Sequence, residues 1–189
     1  MKLEYNISIN PHARFVKATP LLSNASWVSL RELTLSGFSF LSVELCTFLV
    51  SHPTIEVISL LSIQLDESLV LPADSLPRLK RLSVDMNSEV VDSVLNSTTS
   101  LPQPLEAISW VFLDAVFLDK LENSGRGTTL KELRCRSYDY IDHLIGRLST
   151  IAPNLECLCI NNIYATKLVV SIKIDYYDDI LTMFSSSGP

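Results

Sequence analysis

Six times along the chain an apolar residue is followed by two others, an apolar, one more and a further apolar. The stretches are LRELTL at 30–35, IEVISL at 55–60, LKRLSV at 79–84, LEAISW at 105–110, LKELRC at 130–135 and LECLCI at 155–160. With 47% of residues apolar, such a template is met by chance at roughly one position in ten, so no single match carries weight. The spacing does. The first positions, Leu30, Ile55, Leu79, Leu105, Leu130 and Leu155, are separated by 25, 24, 26, 25 and 25 residues. Self-similarity at a fixed period in the twenties is the sequence signature of stacked repeats. Two features recur in step. Pro53, Pro77, Pro104 and Pro153 stand just before four of the templates, where proline ends a preceding helix and favours an extended neighbour. Glu56, Glu106 and Glu156 follow the first template position in three units.

Between templates the period changes from that of a strand to that of a helix. The stretch 42–52 places Val43, Leu45, Phe48 and Leu49 on one helical face, and 88–97 does so with Val90, Val91, Val94 and Leu95. The stretch 140–152 repeats the pattern with Ile141, Leu144, Ile145, Leu148 and Ile151, and VFLDKLENS at 116–124 is a shorter candidate. The proline-broken QLDESLVLPADS at 64–75 predicts a 3₁₀ turn or extended chain in place of a helix. Each unit therefore reads strand, loop, helix, return.

A doubly wound α/β domain fits less well, because a βαβ step takes about 30 residues or more and its strands are apolar on both faces. Here Glu32 and Thr34, Arg81 and Ser83, and Glu132 and Arg134 alternate with the apolar positions, so one strand face is wet. The expected fold is α/β: a curved solenoid with an open parallel sheet, helices or irregular segments behind it, and about six repeats over 28–164. Residues 1–27 predict an irregular N-terminal unit, with LEYNISI (3–9) as a strand, Glu4, Ile7 and Ile9 in template spacing, and ARFVKATPLL (13–22) as a helix. Residues 165–189 predict a terminal strand and short helix with a frayed SSSGP tail.

These residues resemble the leucine-rich-repeat superfamily, in its intracellular, ribonuclease-inhibitor-like branch. The stretches LPRLKRLSVDMNSEVVDSVLNS and LPQPLEAI are most similar to the degenerate repeats of fungal F-box/leucine-rich-repeat proteins. The chain departs from the family at the ninth template position, where Asn or Cys usually ties down the loop. Phe38, Ile63, Asn87, Leu113, Tyr138 and Ile163 stand there, and Asn87 alone conforms, so the turns are expected to be held by apolar packing. No F-box is visible. LSVELCTFL at 41–49 has part of its pattern, but it lacks the proline and falls where the repeat needs its first helix.

In a repeat of this type, positions one, four and six point inward and positions three, five and seven face the concave side, since alternate strand side chains project oppositely. The resemblance thus implies a protein-binding concave face of Glu32, Thr34, Val57, Ser59, Leu61, Arg81, Ser83, Asp85, Val111, Glu132, Arg134, Arg136, Cys157, Cys159 and Asn161, with Ser36, Ala107 and Ser109 beside them. It implies a non-enzymatic interaction module, the substrate-recognition part of an SCF-type ubiquitin-ligase adaptor. A Skp1-type adaptor would be a partner only through an F-box outside this chain. The alternative is a structural or oligomeric solenoid without regulated recognition.

Charge and chemistry narrow this little further. The 189 residues carry a net charge of −6 and a pI near 5.0, without the clustered Lys and Arg a nucleic-acid binder uses. Mean hydropathy is +0.27, yet Glu44, Glu56, Asp66 and Asp114 interrupt the apolar runs before the roughly 18 to 20 residues a membrane span needs. The first residues contain no apolar h-region, and the expected location is cytoplasmic or nuclear. Cys46, Cys135, Cys157 and Cys159 are then expected as free thiols. No histidine stands at ligand spacing from Cys157 and Cys159, so neither metal nor other cofactor is expected. No Gly-rich phosphate loop or nucleophile–base set is present to nominate a catalytic site.

Overall fold

The computed structural model describes residues 1–6, 16–17, 22, 27–85, 88–97, 104–137, 142–162 and 169–173. Every template forms a strand, because its alternation suits a ribbon buried on one side. These strands are β3 (Glu32–Ser36), β5 (Val57–Leu61), β7 (Arg81–Val84), β8 (Ala107–Phe112), β9 (Glu132–Ser137) and β10 (Cys157–Asn162). β1 (Lys2–Asn6) pairs in parallel with β3, and β11 (Val169–Lys173) pairs antiparallel with β10. The described residues thus build an eight-stranded sheet, order β1-β3-β5-β7-β8-β9-β10-β11, in which seven strands run parallel. In register, Glu32 pairs with Val57, Val57 with Arg81, Arg81 with Ala107, Ala107 with Glu132 and Glu132 with Cys157. These are steps of 25, 24, 26, 25 and 25 residues.

The hydrogen bonding begins one residue ahead of the strands. The amides of Glu56, Lys80, Glu106, Lys131 and Glu156 each donate to the carbonyl of Arg31, Glu56, Lys80, Glu106 and Lys131 in turn, at 2.7–2.8 Å. The side chains at this second template position alternate in sign across the sheet. Arg31 and Lys80 flank Glu56 with ion pairs at 3.8 and 2.9 Å. The Lys80 hydrogen bond, with the charges of Lys80, Arg31 and Arg78, holds the Glu56 carboxyl below the usual range. Hydroxyls add rungs from the residue just ahead of the template: Thr54 Oγ1 donates to Leu30 O at 2.7 Å and Thr129 Oγ1 to Leu105 O at 2.9 Å.

A second, parallel sheet of three short strands lies at the exit of the first units: β2 (Val16–Lys17), β4 (Phe38–Phe40) and β6 (Gln64–Leu65), order β2-β4-β6. Gly37 and Ser62 join β3 to β4 and β5 to β6 with φ of 84° and 49°, the same left-handed turn one period apart. At the ninth template position Phe38, Ile63 and Leu113 are buried in the core. Apolar packing therefore holds those turns; Asn87, Tyr138 and Ile163 lie outside the described residues.

Four α-helices occur among the described residues: α1 (Ser42–Ser51), α2 (Ser88–Asn96), α3 (Ala115–Ser124) and α4 (Asp142–Ile151). α2 packs on β7 and β8 and against α3, which packs against α4. Val90, Val91, Val94 and Leu95 of α2 are buried, as are Leu144, Ile145, Leu148 and Ile151 of α4. Asp114 caps α3 by accepting from Phe117 N at 2.7 Å, and Gly125 ends it in the left-handed region at φ 67°. A 3₁₀ turn, Arg126–Thr129, follows. Arg126 is buried there, and its Nη2 donates to Ser97 O and Oγ just beyond α2 at 2.8 and 3.0 Å. A cation suits that helix end, although Nη1 has no hydrogen-bond partner and burial pushes the guanidinium down to about 10. The stretch 66–80 holds no helix; Leu69, Leu71 and Leu76 reach the core from extended chain and turns.

Three sequence expectations need correction. Val43 is 69% exposed, and Ser42 takes the inward position, because its N–H donates to Asp66 at 2.7 Å and its hydroxyl to Glu67 O. In the N-terminal unit Leu3 and Tyr5 stand in register with the inward Leu33 and Leu35, which sets the phase of β1 one residue off that of Glu4, while Ile7 and Ile9 lie outside the described residues. Within the expected helix 13–22, Val16 and Lys17 form β2 against Phe38 and Ser39. The rest of that helix and the terminal helix and tail lie outside the described residues, apart from Leu22.

Candidate protein-binding face of the sheet

The two faces of the large sheet differ completely. Template positions one, four and six are buried in five of the six units, so the helical side is a continuous apolar core. On the other face the side chains stand in three rows across β3 to β10. The first runs Glu32, Val57, Arg81, Ala107, Glu132, Cys157, and the second Thr34, Ser59, Ser83, Ser109, Arg134, Cys159. The third contains Ser36, Leu61, Arg136 and Asn161, with Asp85 just beyond β7. Apart from Ala107, all of these residues are half-buried or exposed. Fourteen of the fifteen residues expected on this face are therefore on it.

Val111 is the exception. The register shifts between Ser109 and Val111, a bulge that inserts one residue into β8. Trp110 occupies the bulge at φ 69°, 40% exposed, while Val111 pairs with the inward Cys135 and is 6% exposed. Phe112 then stands opposite Arg136 on the outer face. Strict alternation placed Trp110 inside and Val111 outside; the bulge exchanges them. The run WVFL at 110–113, four apolar residues where the other units alternate, was the signal in the sequence.

The bulge creates the most structured part of the face. The Arg136 guanidinium carbon lies 5.5 Å from the centre of the Trp110 ring, within cation–π range, and its Nη2 is 3.4 Å from Asp85 Oδ1. That ion pair lacks hydrogen-bond geometry, and Asp85 Oδ1 is buried without a hydrogen-bond donor. Arg134 Nε donates to Glu132 Oε1 at 2.6 Å. Glu32 pairs with Lys2 at 3.8 Å. Arg81, exposed in the first row, has no ion pair among the described residues.

The cysteines are all free thiols. Cys157 and Cys159 share the outer face, and burial raises the Cys157 thiol above its usual range. Cys135 points inward and donates to Cys159 O at 3.6 Å; burial pushes it up to about 12, so it is a packing residue rather than a nucleophile. Behind the sheet, a cavity of about 270 Å³ opens between 68–71 and α2, where the second unit lacks a helix. One of its walls includes Asp92, which Lys120 engages at 2.6 Å. No helix among the described residues is long and apolar enough to cross a membrane.

Comparison with family models, with curated proteins and with solved structures finds no match to this chain.

Proposed function

We propose that this chain is a leucine-rich-repeat solenoid of the ribonuclease-inhibitor-like kind, curved with its parallel strands on the concave side, and that it binds a protein partner on that face. The observation that carries the reading is the open sheet face: three in-register rows of mixed polar and apolar side chains, Arg81 and Arg136 among them and Trp110 displayed beside them by the bulge, opposite a predominantly apolar core. Aromatic and arginine side chains at the centre of a patch are the commonest anchors of protein interfaces. The function is recognition without catalysis. On the sequence resemblance it is the substrate-recognition part of a ubiquitin-ligase adaptor.

A second reading, an oligomeric solenoid, is favoured by the exposed Val43, Val50 and Val70 on the helical side. One experiment separates the two. The immobilised chain and an Arg81→Glu, Arg134→Gln, Arg136→Gln variant are compared for captured native proteins and for molar mass in solution. The recognition reading expects a partner that the folded variant no longer retains, and a monomeric chain. Equal capture by both forms together with self-association, reduced by Val43→Ser and Val70→Ser, would replace it with the oligomeric one.

A further inference from the structure

Resting on the reading of the open face as a recognition surface, we propose that its occupant is an extended, acidic segment of a partner protein, with a carboxylate over Arg81 and a large apolar side chain on Trp110. Charge comes first. On β7 to β9 each acid already has a cation: Glu132 has Arg134 at 2.6 Å and Asp85 has Arg136 at 3.4 Å. Among the described residues Arg81 is left over, so those residues give this part of the face a surplus positive charge on a chain of net charge −6. Such a site draws in an acidic segment and rejects a basic one.

The second observation is the strain at Trp110. A φ of 69° disfavours any L side chain, and conformations of this kind cluster where displaying a side chain is useful. Arg136 covers one face of the indole, and the remaining exposed surface is a platform for an apolar group. The spacing fits one segment. Arg81 stands opposite Ala107, three residues before Trp110 in β8, which is roughly 10 Å along the strands, or two to four residues of extended chain. Between the two anchors the second row holds only Ser83 and Ser109, small enough for a backbone to approach closely.

A displayed random-peptide library, selected on the full chain alone and its winners then titrated against the Arg81→Glu and Trp110→Gly variants, tests this. Circular dichroism of both variants establishes that they fold. The expected winners carry Asp or Glu two to four residues from Phe, Trp, Leu or Ile. They bind each variant at least about tenfold more weakly and change the emission of Trp110 in a Trp27→Phe background. Winners that need Trp110 but are basic or uncharged would overturn the acidic partner while leaving the face as a recognition surface. Winners indifferent to both substitutions, or none at all, would overturn both readings. A dimer of this chain that Arg81→Glu abolishes would replace the partner with a second copy.

Discussion

At the scale of single residues, Trp110 is the position where backbone and side chain pull apart. Its φ of 69° lies where Cβ crowds the following carbonyl oxygen, which costs about 1–2 kcal/mol for any residue but glycine. Replacing it by alanine or by glycine removes the same ring and the same cation–π contact with Arg136, so the difference between the two variants isolates the backbone term. Trp110→Gly is expected to be more stable than Trp110→Ala by about 1 kcal/mol or more, measured from urea midpoints at unchanged slope. The reverse order, the one ordinary strand propensity gives, would mean that the bulge relaxes once the ring is gone. Either way the ring itself contributes little to folding, since it is 40% exposed.

At the scale of elements, the units hold each other through polar ties that a single repeat does not contain. Leu41 gives α1 no side-chain cap. Asp66, from the following unit, supplies it by accepting from Ser42 N at 2.7 Å, and is itself oriented by accepting from Glu67 N at 2.9 Å. The Ser42 backbone bond is the main cause of the Asp66 carboxyl lying below its usual range. A folded pKa below the unfolded one means stability that is present above the ordinary carboxylate range and lost as pH falls through the folded value. Asp66→Ala is therefore expected to lower Tm at neutral pH and to deprotect the first-turn amides of α1 in hydrogen exchange. The Tm gap to the parent should close as the pH is taken below about 3.9, the unperturbed aspartate value. A gap that persists in acid would assign the effect to packing instead. This tie explains the limits of reading α1 from its own sequence. Leu45, Phe48 and Leu49 fix the helix and its inward side, but the rotation that buries Ser42 and exposes Val43 is set by a residue 24 positions later. α2 and α4 needed no such partner, because their apolar stripes alone determine which side faces the core. The register of β1 was not legible for a different reason. Glu4, Ile7 and Ile9 have the template spacing with one polar mismatch at Glu4, and only pairing with β3 selects Leu3 and Tyr5.

At the scale of the whole molecule, what specifies the sheet is repetition in the right phase. The second template position reads Arg31, Glu56, Lys80, Glu106, Lys131 and Glu156, alternating in sign with each strand. Exposed pairs of this kind contribute only about 0–1 kcal/mol each, yet a strand displaced by one unit would meet a like charge on its new neighbour at this rim. The ladder thus opposes mispairing among six closely similar repeats more than it adds stability. It was readable in the sequence, where the recurring glutamates stand out and the intervening cations complete the pattern. The core side is less forgiving. Leu133 is fully buried in β9, between β8 and β10, and neighbours Arg134, whose side chain is 52% exposed. Leu133→Asp is expected to cost several kcal/mol, a large share of the about 5–15 kcal/mol that holds a domain together. Arg134→Glu should cost under about 1 kcal/mol, its main effect being repulsion from Glu132. Circular dichroism and urea unfolding of the two variants test the assignment of faces, and equal damage from both would overturn it. Hydrogen exchange on Leu133→Asp then reports how far the failure spreads. In the sheet each of these strands pairs only with its immediate neighbours, so loss of protection in β8 to β10 with protection retained in β3 and β5 is expected if coupling runs from unit to unit. Uniform loss across the sheet would show instead that the chain folds as one cooperative body, and that the repeats do not survive singly or in halves.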